Sequence, residues 1–465
     1  MIDPAAVGGF LSAACIAAPR TIYQNMFKLP PAHILAVGPD GDPKLTCYWN
    51  LRAVAAAGQR HLDRRAEDDL VDDLEALLLD AARRQMVSDV PLGAFLSGGI
   101  DSSLVVALMQ ARSSQPVRTF SIGFRDANYN EADHARAVAD HLNTQHTELI
   151  VEPNDAYAVI ERIPDIYDEP FADSSQIPTF LVSELARRHV TVALSGDGGD
   201  ECFGGYTRYH WIDRMAKLTG TMPGLLLRGA GAALQSLSVE AWDAMLSPLP
   251  RRLRPTHIGD KIHKGAALLA LPHADAMYHS VVAQWRDSGR VMPGLADAGQ
   301  PPEHAGLATD LPDQVARLRY FDMMQYLPDD ILTKVDRASI SVSLEARVPL
   351  LDHRVVEYSW RLPRASLGNA AHCKRILRQV LKRHVPAALF ERPKQGFGIP
   401  LGQWIRGPLS EWAAELLSEQ ALKVSGLFDV AYVHQRFHEH QTGRRNWQYA
   451  LWTVLMFQAW HRRWA

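Results

Sequence analysis

The chain has 465 residues, enough for two to four domains at roughly 100–200 residues each. Hydrophobic residues make up 47 % and charged residues 22 %, the balance of a globular protein with a sizeable core. Against 49 basic side chains stand 52 acidic ones, a net charge of -3, which excludes a chain built to coat nucleic acid and an acidic disordered tail.

Residues 1–53 mix Gly, Pro and short apolar runs, and Lys44-Leu45-Thr46-Cys47-Tyr48-Trp49 reads as a strand. Residues 61–86 read as a helix, because Leu70, Leu74, Leu77 and Leu78 share one face with Val71 beside them. From about 90 to 205 strand and helix alternate: strands at 94–96, 117–124, 146–151 and 191–194, helices at 104–109, 131–142 and 176–188. That alternation predicts a Rossmann-like α/β fold, a parallel sheet with helices on both faces. Such sheets bind nucleotides at the carboxyl ends of their strands. Residues 206–320 read as helices with long connections, and 315–465 as helical. Trp452, Leu455, Met456, Ala459 and Trp460 form an aromatic stripe that belongs in a core.

No run approaches ~18 consecutive apolar residues, and the first residues lack a basic stretch followed by an apolar one. The expectation is a cytoplasmic protein with no membrane and no nucleic-acid partner. Cys15, Cys47, Cys202 and Cys373 are scattered and form no CxxC pair, so they read as reduced, buried thiols rather than a disulfide framework or zinc site.

The sharpest local feature is Phe95-Leu96-Ser97-Gly98-Gly99-Ile100-Asp101-Ser102-Ser103, an apolar strand running through a Ser-Gly-Gly turn into a helix. Two glycines let the backbone approach an anion, and free N–H groups with the helix dipole attract it. Asp101 would repel a bare phosphate, which predicts a divalent cation between them. A second loop, Ser195-Gly196-Asp197-Gly198-Gly199-Asp200-Glu201, follows the strand at 191–194. Its carboxylates repel one another unless a cation or a basic group is nearby. In a parallel sheet both loops lie at one end, so Asp101 and Asp200 can share one magnesium ion.

At these loops the sequence resembles the synthetase domain of the asparagine synthetase family, in the wider group of PP-loop ATP pyrophosphatases with an adenine nucleotide alpha hydrolase-like fold. The matching segments continue with Glu169-Pro170-Phe171-Ala172-Asp173-Ser174-Ser175, Asp329-Asp330-Ile331-Leu332-Thr333-Lys334-Val335-Asp336-Arg337, Glu345-Ala346-Arg347-Val348-Pro349-Leu350-Leu351-Asp352 and Arg392-Pro393-Lys394-Gln395-Gly396-Phe397. The resemblance implies that ATP adenylates the side-chain carboxylate of aspartate, pyrophosphate leaves, and ammonia then displaces AMP. By the same resemblance Leu96, Ile122, Ser195 and Gly196 hold the adenosine part, and Ser97, Gly98, Gly99 and Ser102 the pyrophosphate. Asp101 and Asp200 ligate Mg2+. Asp197, where many relatives have Glu, assists intermediate formation, and Lys394 faces the phosphates as the catalytic lysine. Lys334 and Arg337, with Asp330 and Asp336, look suited to gripping a charged amino acid, although Asp330 and Lys334 are equally a plain i, i+4 pair. Arg347 and Asp352 read either as an ion pair or as a substrate contact.

Full-length relatives begin with a glutaminase whose nucleophile is an amino-terminal Cys; here position 2 is Ile. Residues 1–53 resemble the last part of that domain, followed by the ATP-dependent domain over 60–465, with a nucleotide core at about 90–205 and a helical part at about 206–465. The expectation is that this chain does not hydrolyse glutamine itself and uses ammonia or a separate glutaminase subunit; a homodimer is a further partner considered. Edge strands left in 1–53 would be adhesive. Alternatives are the same chemistry on a sugar acid or in an internal ring closure, a non-catalytic scaffold, and a tRNA-modifying enzyme, which the near-neutral charge disfavours.

Overall fold

The computed structural model describes every residue except 125–130, 247–257, 270, 272, 287, 295–304 and 393–397. Its centre is a five-stranded parallel sheet of β3 (Leu92–Phe95), β4 (Arg118–Phe124), β5 (Gln145–Val151), β6 (Val192–Leu194) and β7 (Glu345–Arg347). A separate antiparallel hairpin, β1 (His33–Val37) with β2 (Pro43–Cys47), lies near the amino terminus.

The strand order is β5-β4-β3-β6-β7. From β3 the chain therefore builds outward to β5, returns to β6, and builds the other way. The reversal lies between β3 and β6, the place where an open α/β sheet leaves a crevice beyond its carboxyl ends. Gly93 pairs with Arg118 on one side and Ala193 on the other.

Alternation along the strands feeds two cores, as expected for a sheet covered on both faces. Val192 and Leu194 pack with α2 (Glu67–Gln85), α3 (Ile100–Gln110) and α4 (Ala132–Leu142), whereas Ala193 joins α5 (Gln176–Arg187) on the opposite face. On α2, Leu70, Val71, Leu74 and Leu78 are buried, and Leu77 is half-buried. Trp452, Leu455, Met456 and Trp460 are all at most 2 % exposed in the last helix, confirming the aromatic stripe as core.

Three elements differ from the sequence reading. A helix, α1 (Pro4–Ala13), opens the chain, capped by Asp3 with Pro4 at its first position, and Phe10 and Leu11 are fully buried in the same core as the last helix. A further helix spans Leu51–Arg60. β7 comes from 345–347, inside the stretch read as helical. Of the cysteines, Cys15 and Cys202 are buried, but Cys47 is exposed and Cys373 half-buried. The hairpin leaves Ile34, Leu35, Val37 and Leu45 more than half exposed. No described helix is long and apolar enough to cross a membrane.

The amino-terminal segment is tied to the rest by a buried acid. The Ala18 N–H donates to Asp329 at 3.1 Å. Burial pushes the Asp329 carboxyl up from 3.8 to about 6, against the pull of that N–H and of Lys28. A raised folded-state value stabilises the fold below the ordinary carboxyl range, and the contribution is lost as pH rises through about 6. Asp329→Asn keeps an acceptor for Ala18 but cannot ionise. Across that window the wild type should lose about 2–3 kcal/mol of stability relative to the variant in denaturant titrations; parallel pH profiles would contradict this.

Candidate active site

Beyond β3, the Leu96 N–H still bonds the Phe120 carbonyl at 2.9 Å, and the turn follows. Gly98 sits at φ 71, and a Cβ there would lie 2.7 Å from the His134 backbone, so glycine alone fits. The Ser97 N–H donates to Ser102 Oγ at 3.2 Å, the two hydroxyls are 3.0 Å apart, and the Gly99 N–H donates to Ser97 Oγ at 3.3 Å. These serines close the loop on itself, and α3 opens from it with Asp101 in its first turn.

The loop after β6 is anchored by the Ser195 N–H on the Arg347 carbonyl at 2.7 Å, and the Ser195 hydroxyl donates to Asp197. It then runs directly against the first loop. A Cβ on Gly196 would meet Ser102 N at 2.6 Å, and one on Gly199 would meet Asp101 Oδ1 at 2.3 Å. The two glycine-bearing turns, far apart in sequence, are thus in contact.

Where their acids converge lies a basic group that sequence reasoning did not single out. Lys374 ion-pairs with Asp101 and stands 2.8 Å from Asp200, its side chain 5 % exposed. It occupies the left-handed region (φ 57) as the cap of α8 (Arg375–Lys382), which follows α6 (Gly199–Phe203) and α7 (Thr333–Ile340) in the chain. Burial opposes its charge, but Asp101 and Asp200 outweigh that and raise its pKa. Between the two sequence-predicted metal ligands, the structure places an ammonium.

Burial also pushes the Asp197 carboxyl up, against the Ser195 hydrogen bond and the charge of Lys334. Lys334, on α7, is 2.6 Å from Asp173 and 2.7 Å from Ser175 Oγ. Burial raises the Asp173 carboxyl, yet the Lys334 charge and hydrogen bond prevail and hold it at about 2. The partner of Lys334 is therefore Asp173, not Asp330 by simple helical spacing, because Asp322–Leu332 winds as a π-helix.

Leu96, Ser97, Gly99, Asp101, Ser102, Ile122, Ser195, Gly196, Asp197, Asp200, Lys334 and Lys374 all line one cavity of about 1530 Å³. Gly98 is not on its wall and packs against the His134 backbone instead. Asp336 and Arg337 are not on its wall: they pair with each other at 2.6 Å, and Arg337 reaches Asp168 at 2.7 Å on the surface. Lys394 lies outside the described residues. Arg392 lines the cavity and donates to the Ser97 carbonyl at 3.3 Å. Arg347 and Asp352 do not pair: Arg347 bonds the Gln85 and Val87 carbonyls, and Asp352 caps the next helix and pairs with Arg354.

No three His, Cys, Asp or Glu side chains converge as a metal cluster among the described residues. Two carboxylates beside a phosphate loop are still the donor set that magnesium uses, since it keeps waters and phosphate oxygens as its other ligands. Asp101 and Asp200 fit that role.

Comparison with known proteins decides the family: the asparagine synthase profile matches residues 73–462. The chain belongs to the asparagine synthase family. It is similar to a putative glutamine-hydrolyzing asparagine synthetase of Mycobacterium tuberculosis (strain H37Rv), 33 % identical over 471 residues, which span 99 % of this chain and 67 % of the relative. It is 28 % identical to "Asparagine synthetase [glutamine-hydrolyzing] 1" of Bacillus subtilis (strain 168), covering 99 % of this chain and 69 % of that protein. At 23 % identity it also resembles the amidase chry2 of Gibberella zeae, over 88 % of this chain and 64 % of that one. The chain spans about two thirds of the length of these relatives. The asparagine synthase family uses ATP and acts on aspartate with ammonia.

Among the residues missed in the sequence, Lys374 had an indirect signal. Two acids that must meet need a cation, and a basic group was one of the two ways to supply it. Asp173 lay in a recognised segment, but nothing local paired it with a lysine 161 residues away.

Proposed function

We propose that this chain is an amide-forming ligase that couples ATP cleavage to activation of the aspartate side-chain carboxylate. The carboxylate oxygen attacks the α-phosphorus of ATP, pyrophosphate leaves, and ammonia attacks the acyl carbon of the adenylate to give asparagine and AMP. The observation that carries this reading is the contact of the two glycine-bearing loops around Lys374 at the crevice between β3 and β6, in a chain of the asparagine synthase family.

In this reading Leu96, Ile122, Ser195 and Gly196 hold the adenosine part. Ser97, Gly98, Gly99 and Ser102 present hydroxyl and backbone donors to the phosphates at the start of α3, where the helix dipole favours anions. Asp101 and Asp200 would hold magnesium, which supplies positive charge against the triphosphate. Lys374 keeps those two acids together and puts a buried ammonium beside the leaving group; such a preorganised charge lowers the barrier because it needs no reorganisation. Lys394 adds a second cation in the proposal, and Asp197 assists formation of the intermediate. Lys334, held by Asp173 and Ser175, belongs to the acceptor end of the cavity, whereas Asp336 and Arg337 lie too near the surface to serve it.

Mass spectrometry of products from ATP, magnesium, aspartate and ammonium chloride tests the reading. It predicts asparagine, AMP and pyrophosphate in equal amounts. ADP with phosphate would overturn it. The distant amidase relative keeps a second acceptor in view, so the same assay with a panel of carboxylates identifies the acceptor: turnover of another acid with none of aspartate would replace aspartate and keep the chemistry.

A further inference from the structure

One wall of the cavity carries more negative charge than its neighbours neutralise. Asp330 lies in the π-helical stretch, is 3 % exposed, and lines the cavity. It hydrogen-bonds with Asp173, and its Oδ1 is buried with no hydrogen-bond partner among the described residues. Two carboxylates here face one ammonium, that of Lys334, and Lys334 is engaged by Asp173 and Ser175. Asp197 also faces Lys334 and brings no positive charge, although Lys374 acts on it as well.

The other cations that act on the neighbours of Asp330 among the described residues, Lys28 and Arg208, are already paired with Glu169 and Asp322. Burial first, with the nearby acids, pushes the phenols of Tyr167 and Tyr326 and the thiol of Cys15 toward their protonated forms; Lys28 opposes this for Cys15 and Arg208 for Tyr326. Burial, followed by the charge of Asp173, likewise pushes the Asp330 carboxyl well up. An incoming cation with its own N–H groups would offset the excess negative charge and satisfy Oδ1 at once.

We infer that Asp330 is a receptor for a primary ammonium group, either the α-ammonium of an amino-acid acceptor or the ammonium that brings the amide nitrogen. The inference deepens the ligase reading and rests on it. Its supports are the buried, unpartnered Oδ1 of a residue on the cavity wall and the pairing of the nearby lysine, Lys334, with the other acid, Asp173.

The test compares the wild type with Asp330→Asn, close in size but unable to carry charge. Aspartate-dependent exchange of pyrophosphate into ATP, without ammonium, reads acceptor binding; amide formation against ammonium chloride reads the nitrogen donor. If the α-ammonium is the ligand, the variant needs at least about tenfold more aspartate, and the preference for aspartate over succinate, which lacks the ammonium, shrinks towards one. If ammonium is the ligand, the exchange is unchanged and at least about tenfold more ammonium is needed. The half-saturating MgATP concentration stays within about twofold either way. Changes below about twofold in both assays, or equal weakening for aspartate, succinate and MgATP, overturn the inference.

Thermal midpoints of the wild type provide an arm that needs neither turnover nor a folded variant. Aspartate should raise the midpoint more than succinate, or ammonium chloride more than sodium chloride; no difference in either pair overturns the inference. Absence of exchange in the wild type with every carboxylate would instead sink the ligase reading, a separate outcome.

Discussion

A Lys374→Met variant should lose at least about 100-fold in aspartate-dependent exchange of pyrophosphate into ATP. Its ammonium is the described group that links Asp101 to Asp200, and its side chain is 5 % exposed. Removing it leaves two half-buried carboxylates facing each other without that ammonium between them. Breaking a buried ion pair from one side costs about 3–5 kcal/mol, because the remaining charge is uncompensated. The variant should therefore also melt earlier than the wild type, and MgATP should recover more stability in it than in the wild type. Adding Asp101→Asn to Lys374→Met should restore part of the lost stability, since one of the two repelling charges is then gone. Additive losses in that double-mutant cycle would show that Lys374 does not act through the acids.

Gly196→Ala is the second large effect. A Cβ at this position would lie 2.6 Å from the backbone nitrogen of Ser102 and 2.8 Å from the carbonyl carbon of Asp101. Both are main-chain atoms at the start of α3, so no side-chain rotation relieves the clash and the loops must separate. Overpacking of this kind costs about 1–3 kcal/mol, which a chain of this size tolerates. The catalytic loss should be larger in proportion, about 100-fold, because a misplacement near 1 Å between reacting groups is enough. Gly220→Ala is the control: nothing lies within 4 Å of a Cβ there, and its activity should match the wild type. Equal activity in both variants would contradict a working contact between the loops.

Both loops were legible in the sequence because their signal is local. A buried strand, a Ser-Gly turn and an acid opening a helix lie within about ten consecutive residues, and the parallel sheet followed from the alternation of strands with helices. The cation was not legible, because Lys374 meets Asp101 across 273 residues and its left-handed backbone leaves no mark in hydrophobic periodicity. Asp336 and Arg337 illustrate the opposite error. They sit in a charged run beside Lys334, but α7 turns Lys334, Val335, Ala338 and Ser339 inward and leaves Asp336 and Arg337 half-open to solvent. A helical period applied to that run separates the two sets. The helix at Pro4–Ala13 escaped because its residues are apolar or small all round and show no amphipathic face. Asp3 before Pro4 was the available sign of its start. β7 has three residues, two of them charged, and is recognisable as a strand only from its pairing with β6.

In the proposed reaction a carboxylate oxygen becomes bonded to the α-phosphorus of ATP in this cavity. Aspartate labelled with 18O in its side-chain carboxylate, turned over with unlabelled ATP, magnesium and ammonium, tests it most directly. Each AMP formed should carry one atom of 18O, and pyrophosphate none. AMP free of label beside labelled asparagine, or label appearing in inorganic phosphate, would contradict it.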